Sequence, residues 1–314
     1  MTRRDWLAAA ALGCFATPAL AQERRHPRSE DEAEKLVEDR AKEVGLKGFH
    51  TSGTKNFVGI GDAPDAFRKK ALDICEKLLH EYQSHFQFKN IHLKPIKDRL
   101  TVVTLADLKS FSAFSGMDEA PGVGGFYDRD TNRLVMFDNR ALDQLNQDRA
   151  RQANLVSLVH EATHQLTFNT GLLNRDGDVP QCLSEGFATY AEEWQPNRLS
   201  HLGKENHGRR QGLEVAHKAG VSWIPIAKLL ADDRIFDGGG GTDAALQLAY
   251  AESWIFVYVQ MTLHLTQFRE YLKAIYERTD SQTRLEDSRA HLGDLDELDQ
   301  SLRRAAAWEA LGAG

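Results

Sequence analysis

The stretch "LVHEATHQLTF", residues 158–168, places two histidines four positions apart, with a glutamate directly after the first. An α-helix turns about 100° per residue, so His160 and His164 lie within about 40° of each other on one helical face. The apolar residues of this helix gather on the opposite arc and are Leu155, Leu158, Val159, Ala162 and Leu166. The pattern predicts a helix with its core on one side and two imidazoles on the other. These imidazoles either bind a metal ion together or are solvated.

A second helix, predicted over residues 183–194, has the same division of faces. Its apolar stripe follows the spacing i, i+4, i+7 and i+11 and consists of Leu183, Phe187, Tyr190 and Trp194. Glu185, Thr189 and Glu192 fall on the opposite face. A hydrolytic zinc site needs three protein ligands and one open position. His160, His164 and one carboxylate of this helix supply that set.

Glu185 is the carboxylate that we choose as the third ligand of one zinc ion per chain. Gly186 follows it, and a residue without a side chain lets the ion and a neighbouring helix approach closely. Glu192 is assigned the supporting role of orienting a histidine, and Thr189 is placed beside it in the same outer layer. Glu192 and Cys182 are the alternative ligands to Glu185. A purely structural zinc site is disfavoured, because such sites usually have four protein ligands, often cysteines.

The order of secondary-structure signals along the chain predicts an α+β fold, because strands come first and helices after them. The sheet is expected to be small and mixed or antiparallel, with an edge hairpin over "GGFYDRDTNRLVMF", residues 124–137. It belongs to an α/β subdomain at residues 51–140. Residues 141–314 then carry the metal-binding helices and a mainly helical C-terminal subdomain.

The N-terminus, "MTRRDWLAAAALGCFATPALA" at residues 1–21, has paired arginines, a short apolar run and a small-residue cleavage site. This pattern predicts an export signal of the twin-arginine type, with an ordinary secretory signal as the alternative. The expected location is the periplasm or the exterior of a bacterial cell. Residues 22–50 are densely charged and are expected to form a helical arm, exposed or loosely attached.

Charge and hydropathy exclude two classes of partner. The net charge of the 314 residues is −7, and no Lys/Arg stripe could neutralise a row of phosphates, so a nucleic-acid partner is not expected. No apolar run after the signal is long enough to cross a bilayer. Cys75 and Cys182 remain after removal of the signal, which allows one disulfide, although a buried free thiol is the preferred interpretation of Cys75.

The two motifs together resemble the gluzincin metallopeptidases, in which a glutamate on a second helix completes a HExxH site. "HEATH" at residues 160–164 and "LSEGFATY" at residues 183–190 are similar to that pair, with twenty residues between His164 and Glu185. More narrowly, residues 120–260 resemble a secreted bacterial peptidase-MA-like family that is catalogued as a domain of unknown function. The resemblance implies a zincin-like fold.

The resemblance also implies roles for further residues. Glu161 would be the general base, and Tyr250 would donate a hydrogen bond to the reacting carbonyl oxygen, because aminopeptidases of this clan place such a tyrosine in a similar helix. The alternative for Tyr250 is a core aromatic residue, since it lies on an apolar helical stripe. Gluzincins pair their substrate with an edge strand upstream of the HExxH helix, which points to Gly124, Gly125, Phe126 and Tyr127 as substrate-binding residues.

These observations predict an exported zinc-dependent hydrolase that cleaves peptide or protein substrates in the cell envelope. The chain lacks the Gly-x-Met-Glu-Asn type of motif with which aminopeptidases hold a free α-amine. An endopeptidase, or another amide hydrolase, is therefore favoured. The alternative from a different class is a catalytically silent envelope protein of the same fold that binds a peptide or glycan.

Overall fold

A computed structural model describes residues 27, 29–117, 124–142, 145–197, 201–237 and 242–311. The predicted export signal at residues 1–21 lies outside the described residues. The described residues divide into two compact units, of which unit 1 comprises those within 27–82, 95–166 and 196–197, and unit 2 comprises those within 83–94, 167–195 and 201–311.

The first nine helices and strands contain every strand of the described chain. They are α1 (Glu30–Glu43), β1 (His50–Gly53), β2 (Phe57–Gly61), α2 (Asp65–Phe88), β3 (Leu100–Leu105), α3 (Leu108–Ser115), β4 (Gly125–Asp128), β5 (Arg133–Phe137) and α4 (Gln147–Asn169). The strands form one sheet in the order β1-β2-β3-β5-β4. β2, β3 and β5 run parallel, and β1 and β4 pair antiparallel at the two ends. The sheet is thus mixed, and the predicted hairpin is confirmed with β4 at the edge.

Successive side chains of each strand point to opposite faces of the sheet, and both faces are buried. One face, with α1 and α3, forms a core cluster of Val37, Val58, Ile60, Val103, Leu105, Phe111, Phe114, Phe126, Val135 and Phe137. On the other face an added Cβ at Gly59 would contact Leu72 of α2 at 3.2 Å, and an added Cβ at Gly125 would contact Glu161 of α4 at 3.5 Å. Helix α4, with its two histidines, therefore packs beside the edge strand β4.

Helix α1 belongs to unit 1 and is not the loosely attached arm that its charged composition indicates. Ser29 caps its first turn, and Ala33, Val37 and Ala41 are buried at i, i+4 and i+8. This narrow apolar stripe packs the helix against the sheet, because Val37 is fully buried among the core residues. Arg40 of α1 also donates a hydrogen bond to the Phe114 carbonyl oxygen of α3 at 2.9 Å.

Unit 2 is helical, as the sequence predicts for the C-terminal part of the chain. After residue 170 the helices are α5 (Gln181–Ala191), α6 (His207–Lys218), α7 (Ile226–Ala231), α8 (Asp243–Leu263), α9 (Leu265–Glu277), α10 (Arg284–Leu292) and α11 (Leu295–Ala305). Helix α8 is the centre of the unit, because α5, α6, α9 and α11 all pack against it. The α+β class is thereby confirmed. Among the described residues, no helix combines the length and apolarity needed to cross a membrane.

A buried carboxyl group of α8 fixes the segment that leads into α7. Glu252 accepts a hydrogen bond from the Ile224 N–H at 2.9 Å, and Asp299 of α11 accepts one from the Ile226 N–H at 2.8 Å. Burial raises the pKa of Glu252 well above its ordinary value; the Ile224 N–H lowers the pKa, Asp299 raises it and Arg303 lowers it. The protonated carboxyl is thus the form that the fold favours.

This shift predicts a pH-dependent effect of Glu252→Gln. The unfolded carboxyl ionises as pH rises above its ordinary pKa, whereas the folded one resists ionisation, so the wild-type protein loses stability between pH 5 and pH 8. Glutamine keeps the acceptor for Ile224 and does not ionise. We expect the free energy of unfolding of the variant to rise relative to that of wild type on going from pH 5 to pH 8, measured by urea unfolding. Glu286→Gln, at an exposed position of α10, should show no such trend.

Candidate metal centre

His160 and His164 are both buried on α4 and their ring nitrogens face each other. Asn146 caps the helix by accepting a hydrogen bond from the Arg149 N–H at 3.1 Å. The two histidines are 0% and 1% exposed, and their Nε2 atoms lie 3.3 Å apart. The prediction that the two histidine side chains lie on the same face of the helix is confirmed, and the alternative of two solvated imidazoles is wrong.

Glu185 of α5 completes a buried group of three metal-capable side chains. One ligand atom from each of His160, His164 and Glu185 lies within 4.8 Å of the others, and Glu185 is 0% exposed. Two nitrogens bound to a tetrahedral zinc at about 2.0–2.1 Å lie about 3.3–3.4 Å apart, which matches the separation of the histidines. Imidazole nitrogens and carboxylate oxygens are also common ligands of zinc in proteins. The group could therefore hold a metal ion.

Helix α5 is positioned by groups at its beginning and along one face. Pro180 precedes the helix, and the first N–H, of Gln181, donates to Asp233 at 2.8 Å. An added Cβ at Gly186 would lie 2.4 Å from Val257 and 2.6 Å from the Ser253 carbonyl oxygen of α8. The close approach of a neighbouring helix at Gly186 is thus confirmed.

The two residues assigned to the outer layer lie farther along α5. The Thr189 hydroxyl donates to the Glu185 carbonyl oxygen at 2.7 Å, so it braces the backbone of the helix at that glutamate. Glu192 is buried and accepts hydrogen bonds from Asn206 at 2.7 Å and from Arg209 Nε at 2.9 Å. The partners of Glu192 in unit 2 are therefore an amide and a guanidinium group.

Cys182 does not belong to the metal-capable group. It is a buried free thiol, as is Cys75, so the disulfide that the sequence allowed is not formed. Burial raises the pKa of the Cys182 thiol, and Asp233 raises it further. Since only a thiolate is a good metal ligand, this environment disfavours Cys182 as a replacement for Glu185.

The predicted substrate strand lies beside the histidine helix. Glu161 is 2% exposed, and its Cγ would contact a Cβ added at Gly125. An added Cβ at Gly124 would lie 2.0 Å from the Ser157 hydroxyl, so α4 and the start of β4 meet there without a side chain between them. Phe126 points the other way, into the core cluster. Of the four residues, the two glycines and Tyr127 therefore face α4.

Tyr127 contacts a candidate ligand directly. Its ring stacks on His164 with centroids 6.4 Å apart and an interplanar angle of 14°. Its hydroxyl donates to Asn132 Oδ1 at 2.8 Å in the β4–β5 turn, where Asn132 has φ of +56°. Gln165 of α4 donates to the Asn132 carbonyl oxygen at 3.0 Å. The hairpin turn thus holds both Tyr127 and the residue after His164.

Tyr250 is fully buried in unit 2. Its ring packs edge-on against Phe236 at 5.5 Å, and the Arg209 guanidinium carbon lies 5.3 Å from the ring centroid. This environment includes a cation that the sequence did not indicate. Residues 238–241, a run of four glycines, lie outside the described residues.

Arg209 is a buried charged residue that sequence reasoning missed. It is 4% exposed, although α6 is so polar that its residues are expected to be solvated. The signal was present in the spacing, because Arg209, Leu213 and Ala216 are buried at i, i+4 and i+7. An arginine on an apolar stripe was the clue to a buried charge.

The fold and the site define an α+β protein with a buried group that could hold a metal ion. Residues 154–283, less than half of the chain, match the model of a family described as "Protein of unknown function (DUF1570)". His160, His164, Glu185, Arg209 and Tyr250 all lie within the matched segment. No curated protein matches the chain.

Proposed function

We propose that this protein is a zinc-dependent hydrolase of the gluzincin type, and that it cleaves peptide bonds as an endopeptidase. The observation that carries the proposal is the buried group of His160, His164 and Glu185 with a glutamate, Glu161, next to the first histidine. A zinc ion bound there would act as a Lewis acid and lower the pKa of a water molecule to about 7.

Glu161 is assigned the role of general base. It follows His160 directly, it is buried, and it is not one of the three metal-capable residues. Its carboxylate would take a proton from the attacking water and deliver it to the leaving amine. Such a group must be able to accept a proton, which an ionised carboxylate does.

Strand β4 is assigned the role of pairing with an extended substrate. Among the described residues β4 pairs only with β5, so it is an edge strand, the position in a sheet at which an extended peptide can add. Gly125 on this strand is beside Glu161. A peptide added to this edge would run past the general base with its backbone close to the strand.

Tyr250 is assigned the role of stabilising the negative oxygen that develops during amide cleavage. Its hydroxyl would donate a hydrogen bond to that oxygen, and removal of one such donor typically costs about 10²–10³-fold in turnover. The neighbouring Arg209 cation favours negative charge in its surroundings.

The substrate and location belong to the same proposal. The N-terminal pattern of paired arginines and a short apolar run supports export to the periplasm or beyond. A twin-arginine signal suits this site, because it exports proteins that have already folded. The proposed substrates are peptides or proteins of the bacterial cell envelope.

Metal binding tests the ligand assignment. The purified protein is expected to contain one zinc ion per chain, and Glu185→Gln is expected to lower the zinc affinity by about 100-fold or more, because outer partners of a ligand already contribute about 10–100-fold. Competition with a chromophoric chelator measures both. Glu193→Gln, eight residues along the chain and partly exposed, is the matched control.

The outcomes of this experiment separate the alternatives. A wild-type protein without zinc overturns the proposed function. Glu185→Gln with wild-type affinity shows that another residue is the third ligand, and Cys182→Ala then tests the thiol. If the protein binds zinc and a peptide library is left intact by wild type, the silent binding protein replaces the hydrolase.

A further inference from the structure

We propose that Arg209 is a positioning residue of the metal centre, which holds the ligand helix α5 and the Tyr250 ring in one fixed arrangement. The inference rests on the proposed function, because it assigns Tyr250 and Glu185 their roles there. Arg209 itself would touch neither the substrate nor the ion.

The first contact of Arg209 is a buried bidentate ion pair with Glu192. Arg209 Nε donates to Glu192 Oε2 at 2.9 Å, and a second guanidinium N–H donates to Oε1. The two residues are 4% and 7% exposed. The planar guanidinium group binds both carboxylate oxygens, so it fixes the orientation of the two side chains as well as the distance between them. The single ammonium group of a lysine cannot do this.

The second contact is with Tyr250. The guanidinium carbon lies 5.3 Å from the centroid of the Tyr250 ring, within the range of a cation–π interaction. Phe236 packs edge-on against the same ring at 5.5 Å. Since the ring is fully buried, Arg209 and Phe236 together restrict where the phenol group can point.

Asn206 extends the same contacts to the backbone of α5. It caps α6 by accepting a hydrogen bond from the Arg209 N–H at 3.0 Å, and its amide donates to the Thr189 carbonyl oxygen at 2.9 Å. Thr189 in turn donates to the Glu185 carbonyl oxygen. The start of α6 is thus connected through hydrogen bonds to the backbone of the metal-capable glutamate.

Charge supports this arrangement. Burial by itself disfavours a charged guanidinium and lowers its pKa, but Glu192, Tyr250 and Glu185 outweigh burial and raise the pKa of Arg209. The cation is therefore retained inside unit 2 by three groups that include both proposed functional residues. Because these partners hold the buried Arg209 cation in one place, the cation can orient the side chains that surround it.

The neighbouring Arg210 provides a matched control. It lies on the same helix, forms an ion pair with Glu205, and its guanidinium carbon lies 5.7 Å from the Trp254 ring centroid. Its side chain is 32% exposed, so it is less buried than Arg209. Any general effect of replacing an arginine on α6 should appear at both positions, and an effect on the metal centre should appear only at Arg209.

The test compares Arg209→Lys and Arg209→Met with Arg210→Lys and Arg210→Met in the full chain. Zinc affinity of the metal-free protein is measured by chelator competition, and the Tyr250 environment by the near-ultraviolet difference spectrum against Tyr250→Phe. We expect both Arg209 variants to bind zinc about 10–100-fold more weakly and to shift the tyrosine spectrum, with no change in zinc affinity in the Arg210 variants. The double variant Arg209→Met with Glu192→Leu removes the whole ion pair, so it avoids an unpaired buried charge if the single variant fails to fold.

The outcomes distinguish this inference from the proposed function. If Arg209→Lys folds, keeps the tyrosine spectrum and binds zinc as tightly as wild type, the positioning role of Arg209 is overturned. Absence of zinc from the wild-type protein overturns the proposed function, while the Tyr250 spectrum still reports whether Arg209 orients the ring. If the double variant folds and has wild-type zinc affinity, Arg209 contributes only to packing and the inference fails.

Discussion

Replacing Glu161 with glutamine is expected to lower the rate of peptide cleavage by about 10²–10⁴-fold and to leave the zinc affinity unchanged. Glutamine has nearly the shape of glutamate but cannot accept the proton of the attacking water. The ligands are other residues, so the ion should still bind. Cleavage is measured on a peptide that wild type cleaves, with zinc content determined on the same samples.

A second variant makes the test of Glu161 more specific. Glu161→Asp keeps a carboxylate but withdraws it by one methylene, and we expect a cleavage rate between those of wild type and Glu161→Gln. If Glu161→Gln cleaves at the wild-type rate with zinc bound, Glu161 is not the base and the assignment fails. Loss of zinc together with activity would place Glu161 among the ligands instead.

Replacing Gly186 with alanine is expected to destabilise the protein by about 3 kcal/mol, the upper end of what overpacking costs. The new methyl group would lie 2.4 Å from Val257 Cγ2 and 2.6 Å from the Ser253 carbonyl oxygen. The second of these atoms belongs to the backbone of α8 and cannot move aside alone, so α5 and α8 must separate. Urea unfolding measures the loss, and zinc affinity should fall with it because α5 carries Glu185.

Gly212 of α6 is the matched control for Gly186. It also faces α8, but an added Cβ would lie 3.8 Å from the Ala251 Cβ and 4.0 Å from the Gln247 carbonyl oxygen, which are ordinary contacts. Alanine is the better helix former, so Gly212→Ala should raise the free energy of unfolding by about 0.5–1 kcal/mol. Equal stabilities of the two alanine variants would contradict the close packing of α5 and α8.

The metal-capable residues could be predicted because their arrangement is local. The i, i+4 spacing fixes the relation of His160 to His164, and the phase of the second helix places Glu185 on the face opposite its apolar stripe. Burial was less predictable: a helical stripe shows which face is apolar, but it does not show that α4 is enclosed on its polar face too. Both histidines are consequently more deeply buried than the pattern indicates.

Features that depend on distant contacts were not predictable. Helices α3, α7 and α10 have six to nine residues each, too few turns for a periodic signal. The packing of α1 depends on the sheet that receives Val37, and composition alone indicated an arm. The burial of Arg209 depends on Glu192 and Tyr250, which lie 17 and 41 positions away along the chain.

The turn between β4 and β5 has a practical consequence for labelling the protein. Tips of hairpins usually tolerate inserted tags, because their side chains face water. Here Asn132 Oδ1 accepts a hydrogen bond from the Tyr127 hydroxyl, and the Asn132 carbonyl oxygen accepts one from the Gln165 side-chain amide. The turn is therefore connected both to the residue that stacks on His164 and to the residue that follows His164. An epitope or fluorophore placed there would disturb the stacking of Tyr127 on His164. The exposed end of α10 is the better attachment point.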